Sequence, residues 1–250
     1  MSLIDEYRNQ YQWRSGERVY NFLPEMKGQT VLDMGCGVGD QARDFAKQGA
    51  RVIGVDMNQE LLDIARRNCP KNTRFIKSDF RNPLELNEQV DGLWSSFAVA
   101  YIADFQTVLK KWKGYIKQGG WIALTEIDNF FGHEPLNENS KELLEKYVED
   151  AYTKGRYDFN IGRKLEDYLR NCGFQIDKTF TLNDEEFSFS GSASQDVIAA
   201  WRKRSDRMSL LQKTCGSDYE EVRHEFLSAL KENEHYSKCK VISCIGTALT

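Results

Sequence analysis

The sequence has little of what secreted or metal-binding proteins carry. Of its 250 residues, four are proline and three are histidine, and the six cysteines form no Cys-x-x-Cys pair. The three histidines, at positions 133, 224 and 235, form no zinc-site pattern with paired cysteines. Free thiols in a reducing compartment are the simplest interpretation. We therefore predict a cytoplasmic protein that holds no metal and needs no disulfide.

Long apolar runs and an excess of basic residues are also absent. The first eighteen residues, MSLIDEYRNQYQWRSGER, are charged and lack the apolar region of a signal peptide. No window approaches the roughly 18 uninterrupted apolar residues of a membrane span, so no membrane partner is expected. The 34 basic residues against 38 acidic ones give a net charge of −4. This balance argues against a nucleic-acid partner, because phosphate neutralisation needs clustered lysine and arginine.

Short apolar segments alternate with helical patterns along the first half of the chain. Such alternation predicts an α/β fold with a doubly wound, mostly parallel sheet and right-handed crossovers. The predicted strands are Thr30–Met34, Arg51–Val55, Thr73–Lys77, Val90–Ser95, Trp121–Ile127, Phe174–Phe180 and Val241–Ala248.

The remaining segments complete a single domain over residues 1–250. A helix is predicted from Ile4 to Leu23, within residues 1–23, and the core follows over 30–128. Two charge-rich helices, Ser194–Thr214 and Tyr219–Asn233, fall in a helical insert over 181–238, between the last two strands. We interpret this insert as a lid.

The strongest chemical signal is the run VLDMGCGVGD, in which a strand enters a glycine turn and then a helix. Gly35, Gly37 and Gly39 allow positive φ and let a ligand approach the backbone. Their GxGxG spacing differs from the GxGxxG of dinucleotide binders. Asp33, just before the turn, would repel a pyrophosphate but suits a cationic amino group. An NAD-dependent reductase is therefore a disfavoured alternative.

Polar side chains end the next three strands. Asp56 follows Gly35 by 21 residues, where a carboxylate can accept hydrogen bonds from ribose hydroxyls. Asp79 and Phe80 offer a polar acceptor and an aromatic surface, and Ser95–Phe97 end the fourth strand. Each acid alone could equally cap a helix. The carboxyl ends of parallel strands share one sheet edge, so we expect one ligand site there.

Taken in order, VLDMGCGVGD, GVDMNQELLDIA, KSDF, VDGLWSSFAVAYI and IKQGGWIAL resemble the class I S-adenosylmethionine-dependent methyltransferases. The resemblance covers Thr30–Leu124. It implies a Rossmann-like methyltransferase fold of seven strands, with the last strand antiparallel beside the fifth, and S-adenosyl-L-methionine as cofactor. The cofactor-binding residues it implies are Gly35, Cys36, Gly37, Gly39, Asp56, Met57, Asp79, Phe80, Ser95, Ser96 and Phe97.

A second segment, from Asp158 through Ile161 to Leu165, is similar to the small-molecule branch related to quinone-biosynthesis and natural-product enzymes. After strand four stands Ser95-Ser96-Phe97-Ala98, without the Asn/Asp-Pro-Pro-aromatic run of enzymes that methylate base amines or glutamine amides. The resemblance thus implies a small-molecule acceptor. The protein is expected to act as a monomer or homodimer.

Candidates for the acceptor end are fewer. His133, in a loop after strand five, is the candidate general base, and Tyr157 and Asp158 are expected to line the acceptor pocket. Asp158 could instead cap a helix. Tyr11 and Arg14 could fold over the cofactor, as amino-terminal helices do in this family, or simply pack and face solvent.

The sequence therefore predicts methyl transfer to an oxygen, nitrogen or carbon atom of a small molecule. A general base is needed only where the acceptor must lose a proton. Two alternatives stay open: a cofactor-binding regulatory protein without turnover, and a protein or RNA methyltransferase.

Overall fold

The computed structural model describes residues 10–250 and has the predicted alternation of strands and helices. Nine strands occur in this part of the chain, seven of them in one sheet. Their bounds are β1 Thr30–Met34, β2 Arg51–Asp56, β3 Thr73–Lys77, β4 Val90–Ser96, β5 Ile116–Asp128, β6 His133–Glu134, β7 Phe174–Leu182, β8 Tyr236–Ser237 and β9 Lys240–Ala248.

The seven-stranded sheet has the order β3-β2-β1-β4-β5-β9-β7. Strands β1 to β5 pair in parallel, whereas β9 lies antiparallel between β5 and β7. The register of β9 places Thr247 opposite Trp121 and Ala248 opposite Phe174. The predicted mostly parallel sheet with an antiparallel last strand is therefore confirmed. Strand order reverses between β1 and β4, where open α/β sheets bind ligands at their carboxyl edge.

Helices connect the strands and cover both faces of the sheet. Asn58 caps α3, since its side-chain oxygen accepts the backbone N–H groups of Glu60 at 2.9 Å and Leu61 at 3.3 Å. The α-helices are α1 Glu17–Tyr20, α2 Asp40–Lys47, α3 Gln59–Asn68, α4 Phe105–Lys113, α5 Glu138–Thr153, α6 Leu165–Asn171, α7 Gln195–Arg207, α8 Ser209–Cys215 and α9 Tyr219–Ala229; short 3₁₀ turns occupy Val99–Tyr101, Ile161–Lys164 and Gly216–Asp218.

The predicted helix Ile4–Leu23 begins outside the described residues and is not continuous within them. Residues 10–13 are helical and α1 starts only at Glu17, with an irregular stretch between. Gly16 disfavours a helix interior by about 1 kcal/mol relative to alanine. The Arg14 guanidinium lies 3.8 Å from the centre of the Phe97 ring, a contact that the irregular stretch accommodates.

The charge-rich segment between β7 and β9 contains three helices, α7 to α9, instead of the two predicted. The first predicted helix is interrupted at Met208, which has φ −79° and ψ 63°. There the Tyr219 hydroxyl donates to the Ser205 carbonyl at 2.7 Å, and the Met208 N–H closes a tight turn on the same carbonyl at 3.0 Å. The lid function of this insert stays a prediction.

Apolar side chains form a large buried cluster on each side of the sheet. An aromatic group within the first cluster joins the segment after β5 to the insert: Phe130, Phe131, Phe159, Phe187, Trp201 and Phe226. Between residues 10 and 250, no helix has the length and apolar character needed to cross a membrane.

Replacing Gly92 with alanine should strongly destabilise the fold. A Cβ atom on Gly92 would lie 1.9 Å from the buried Trp121 indole, which cannot move without losing its 2.8 Å hydrogen bond to Gln29. Overpacking in a core costs about 1–3 kcal/mol. We expect a loss of about 3 kcal/mol in the free energy of unfolding, measured by urea denaturation.

Gly114→Ala is the matched control, because Gly114 has right-handed φ and meets only the Lys111 carbonyl oxygen, at 3.2 Å. It should change the free energy of unfolding by less than about 1 kcal/mol. Equal stabilities for the two variants would contradict this view of the sheet centre.

Candidate cofactor and acceptor site

The turn after β1 has the left-handed backbone that the three glycines predicted. Gly35, Gly37 and Gly39 have φ of 82°, 51° and 82°. The N–H groups of Gly35 and Cys36 both donate to the Val55 carbonyl, at 2.8 and 3.0 Å. The turn is therefore tied to the end of β2, next to the point where the strand order reverses.

Neighbouring atoms lie too close to this turn for larger residues. A Cβ atom on Gly35 would lie 2.5 Å from the Cβ of Ala98, and one on Gly39 would lie 2.9 Å from both Ala65 and Cys69. The Cys36 side chain is buried, so the backbone of the turn is what it can offer a ligand.

Asp56 holds the turn rather than capping α3, because the cap is Asn58. One carboxylate oxygen accepts the Gly37 N–H at 3.0 Å, and the other accepts the Asn58 N–H at 2.8 Å. A carboxylate oxygen has two lone pairs, so each oxygen can accept a further hydrogen bond. The geometry of Asp56 fits a ligand with paired hydroxyls.

Asp33 has a buried carboxylate that suits a cationic ligand group. Its side chain is 2% exposed, and its Oδ2 has no hydrogen-bond partner among residues 10–250. Burial and the nearby charge of Asp56 raise the pKa of Asp33 to about 8, against the lowering effect of the Ala42 N–H. A positively charged ligand group beside Oδ2 would offset this cost, so the residues present fit S-adenosylmethionine.

The pair after β3 presents a charge and a ring. Arg81 binds Asp79 through Nε, 2.9 Å from each carboxylate oxygen, and this contact lowers the pKa of Asp79. Asp79 thus stays an ionised acceptor. The Phe80 ring lies near Gly35, and Met57 is 59% exposed beside Asp56. Both side chains can cover the flat part of a ligand.

The three residues that end β4 differ in what they do. The buried Ser95 hydroxyl donates to the Met34 carbonyl at 2.8 Å, so in the structure it links β4 to β1. Ser96 is half-buried at the strand end. Phe97 has φ 55° and donates its N–H to the Thr125 carbonyl at 2.9 Å, which turns the chain towards the glycine turn.

The amino-terminal segment contacts both α2 and the residue that follows β4. Tyr11 donates a hydrogen bond to Asp44 of α2, while Arg14 stacks on Phe97. Burial raises the pKa of the Tyr11 phenol, with the Asp44 contact adding to the effect. An open cavity of about 350 Å³ lies beside this segment, and its lining residues are Tyr11, Gln12, Asp40, Arg43 and Asn68.

His133 lies in β6 rather than in an open loop. It is 1% exposed, and its ring centre lies 5.3 Å from that of Trp201 and 5.5 Å from that of Phe226. Burial lowers the pKa of His133 to about 3. In this position the imidazole is enclosed by aromatic rings, and its general-base role stays a prediction.

The partner of His133 is His235, which is also buried. The Nδ1 of His133 lies 3.0 Å from the Nε2 of His235, whose Nδ1 lies 3.0 Å from the Gly191 carbonyl. A carbonyl only accepts, so each Nδ1 donates and the Nε2 of His133 carries the lone pair. This pairing spans 102 residues of the chain.

Tyr157 and Asp158 lie together but have different surroundings. Asp158 accepts the Asn160 N–H at 3.0 Å and pairs with Lys164 at 2.7 Å, so its carboxylate stabilises a turn. Neither the Ile161–Lys164 turn nor α6 has a side-chain cap, so Asp158 caps no helix there, and its place in the acceptor pocket stays a prediction. Tyr157 is half-buried, and its ring packs edge-on against that of Tyr101 with centroids 4.7 Å apart.

Glu126 is a residue that sequence reasoning missed. It lies near the end of β5 and is 1% exposed, with one carboxylate oxygen that lacks a partner within the described chain. The signal was present in WIALTEID, where a lone glutamate interrupts a run of mostly apolar residues. No set of three or more His, Cys, Asp or Glu side chains between residues 10 and 250 is arranged to hold a metal ion.

Comparison with known proteins gives a family match in the sheet region. The family described as "Methyltransferase domain" matches residues 32–124. A ubiquinone biosynthesis O-methyltransferase from Coxiella burnetii is 29% identical over 142 residues, which are 54% of this chain and 57% of the relative. The match thus spans little more than half of that relative's length.

Solved structures extend the similarity of fold to nearly the whole chain. A phosphoethanolamine N-methyltransferase from Haemonchus contortus, in complex with S-adenosyl-L-methionine, has a TM-score of 0.59 at 20% identity and covers 93% of this chain and 51% of its own. A cyclopropane synthase from Mycobacterium tuberculosis has a TM-score of 0.60 at 16% identity and covers 92% and 82%.

Asp33→Asn should weaken binding of S-adenosylhomocysteine and remove its dependence on pH between 6 and 8. In the native protein, a cationic amino group favours the ionised form of Asp33, whose pKa is raised to about 8. Affinity should therefore fall as the pH drops below 8, by up to about tenfold per pH unit. Isothermal titration calorimetry at several pH values measures the effect.

The same substitution should make the unliganded protein more stable at pH 7. A carboxyl group with a raised folded-state pKa opposes folding once it ionises, and asparagine has no charge to bury. Asp63→Asn, a change at a half-buried residue of α3 whose carboxylate pairs with Arg66, serves as the control. A pH dependence that is the same in all three proteins would refute the role of Asp33.

Asp56→Ala should reduce the affinity for S-adenosylhomocysteine at least tenfold. The variant loses the acceptor for the Gly37 and Asn58 N–H groups, and with it the proposed contact to the ribose. Asp56→Asn retains one acceptor oxygen and should bind with intermediate affinity. Unchanged affinity in the alanine variant, measured by calorimetry, would overturn the assignment.

Proposed function

We propose that this chain, which belongs to the class I S-adenosylmethionine-dependent methyltransferases, transfers a methyl group to an oxygen, nitrogen or carbon atom of a small-molecule acceptor. The observation that carries the proposal is the unpartnered, buried carboxylate oxygen of Asp33 beside the glycine turn. A dinucleotide pyrophosphate would meet this charge with repulsion, whereas an amino acid ammonium group would neutralise it.

The described residues have distinct tasks in holding the methyl donor. The turn from Gly35 to Gly39 offers backbone against the methionine part, and Asp33 offers a charge to its amino group. Asp56 accepts hydrogen bonds from the ribose, and Asp79 and Phe80 flank the adenine. When bound, the sulfonium supplies an electrophilic methyl group, so the protein's main work is alignment and exclusion of water.

The acceptor is proposed to lie beyond the ends of β4 and β5. Asp33, Asp56 and Asp79 lie at the carboxyl ends of β1 to β3, on one side of the switch point, which leaves the other side for the second substrate. Phe97, Tyr101 and Tyr157 present aromatic rings there. These rings favour a small, partly apolar acceptor, in keeping with a relative named for ubiquinone biosynthesis.

The setting of the protein is also a proposal. All six cysteines are free thiols, which is consistent with a reducing cytoplasm. The net charge of −4 argues against a nucleic-acid acceptor, and we propose that the enzyme works as a monomer or homodimer. His133 and Tyr157, which the sequence indicated, remain candidates for the catalytic step.

Binding and turnover test this function separately. We expect S-adenosylhomocysteine to raise the Tm and NADH to leave it unchanged. Labelled methyl groups from S-adenosylmethionine should be transferred to members of a panel of hydroxyl, amine and acidic-carbon acceptors. Stabilisation by NADH alone would overturn the cofactor assignment, and binding without any transfer would favour a regulatory protein.

Gly35→Ala should abolish S-adenosylhomocysteine binding, because its Cβ would meet Ala98 at 2.5 Å and its φ is 82°. Gly28→Ala is the matched control. Gly28 has nearly the same φ, 80°, but a Cβ atom there would meet no other atom within 4 Å, so the variant carries the strain without the clash. Equal loss of binding in both variants would show that backbone strain, and not the clash with Ala98, explains the effect.

A further inference from the structure

The carboxylate of Glu126 is held from one side only. Its Oε1 accepts the N–H groups of Val99 at 2.7 Å and Ala100 at 3.3 Å. Its Oε2 has no hydrogen-bond partner among residues 10–250, although the side chain is 1% exposed. A buried carboxylate oxygen without a partner is costly, and a catalytic role is one of the recognised reasons why native proteins keep such a group.

Three charged or titratable side chains from three different segments act electrostatically on this carboxylate. Arg14 comes from the amino-terminal segment, Tyr101 from the turn after β4 and Tyr157 from the loop before the Ile161–Lys164 turn; each interacts electrostatically with Glu126. Tyr101 is 58% exposed and Tyr157 is half-buried. The rings of Tyr101 and Tyr157, with centroids 4.7 Å apart, therefore form an aromatic pair that reaches the protein surface.

The turn that Glu126 binds also contacts the proposed donor site. Ala98 packs against Gly35, and the next two residues, Val99 and Ala100, donate their N–H groups to Glu126. One short turn thus has the glycine turn on one side and the free carboxylate oxygen on the other. A methyl acceptor beside Oε2 would lie within one turn of chain of the donor.

We propose that Glu126 is the general base of the reaction and that the acceptor is a planar aromatic hydroxyl compound; this inference rests on the proposed function. The acceptor's O–H proton passes to Oε2 as its oxygen forms a bond to the methyl carbon. The bonding pair of the sulfur–carbon bond returns to sulfur. The products are a methyl ether, S-adenosylhomocysteine and protonated Glu126, which then releases its proton to solvent.

The electrostatics of the site suit this role. Burial raises the pKa of Glu126 to about 7, while the backbone N–H groups of Val99, Ala100 and Ile127 and the charge of Arg14 act in the opposite direction. A base is most effective when its pKa lies near the working pH. His133, in contrast, is enclosed by aromatic rings and has a pKa lowered to about 3.

Glu126→Gln separates the base from its structural role. The amide oxygen of glutamine can still accept the Val99 and Ala100 N–H groups, but the side chain cannot take a proton. With 4-nitrocatechol as the acceptor, we expect kcat to fall about 100-fold or more, with unchanged affinity for S-adenosylhomocysteine. The native enzyme should lose activity below about pH 7, and added formate should partly restore the Glu126→Ala variant.

Glu134→Gln is the control. Glu134 lies on β6, away from the turn that Glu126 binds, and its carboxylate pairs with Lys141 and Lys238. A Glu126→Gln variant within threefold of native kcat overturns the proposal. So does a native protein that binds S-adenosylhomocysteine and methylates benzylamine but not 4-nitrocatechol, or that methylates neither. Failure to bind S-adenosylhomocysteine would instead refute the proposed function.

Discussion

Close approach between backbones is the constraint on which the sheet edge depends. The glycine turn after β1 can lie against Ala98, and β4 can pass beside the Trp121 indole, only because Gly35 and Gly92 have no Cβ atom. Both contacts draw β4 and the segment after it towards the middle of the sheet. The turn after β4 therefore lies directly beside the turn after β1. The shape of the crevice between them depends on the absence of a Cβ atom at these glycines.

Electrostatics follow from that closeness. Strand ends packed this tightly leave little room for water, so the carboxylates placed there are poorly solvated. Burial raises the pKa of Asp33 to about 8 and that of Glu126 to about 7. Each of these carboxylates also has an oxygen with no partner within residues 10–250. Such an arrangement costs folding free energy, and a ligand that is cationic or that gives up a proton offsets part of the cost.

The sequence was a good guide wherever a residue's place in a βαβ unit determines its place in space. Asp33 lies near the end of β1, Asp56 ends β2 and Asp79 comes shortly after β3, and the strands of a parallel sheet end at one edge. Their position was therefore predictable from local pattern alone. The antiparallel last strand was predictable only through resemblance, because periodicity does not reveal the direction in which a strand enters a sheet.

Contacts between distant segments were not predictable in the same way. The imidazoles of His133 and His235 meet across 102 residues of chain, and Arg14 stacks on Phe97, a residue from the end of the fourth strand. Local pattern also predicted two helices in the insert, whereas the structure has three because the first predicted helix is interrupted at Met208. In each case the deciding partner comes from another part of the fold, which a single sequence does not identify.

The two sides of the switch point differ in the chemistry that their buried acids can perform. Asp33 lies just before the glycine turn, and the nearby Asp56 already accepts two backbone N–H groups. This side of the switch point is therefore suited to binding a cationic group and not to proton transfer. Glu126 lies among tyrosines, with one oxygen fixed by two N–H groups and the other free. A fixed carboxylate with one free oxygen is suited to receiving a proton along a defined direction. A buried carboxylate is costly on both sides of the switch point. On the β1 side it is suited to binding the donor, and on the β5 side it is suited to taking a proton from the acceptor.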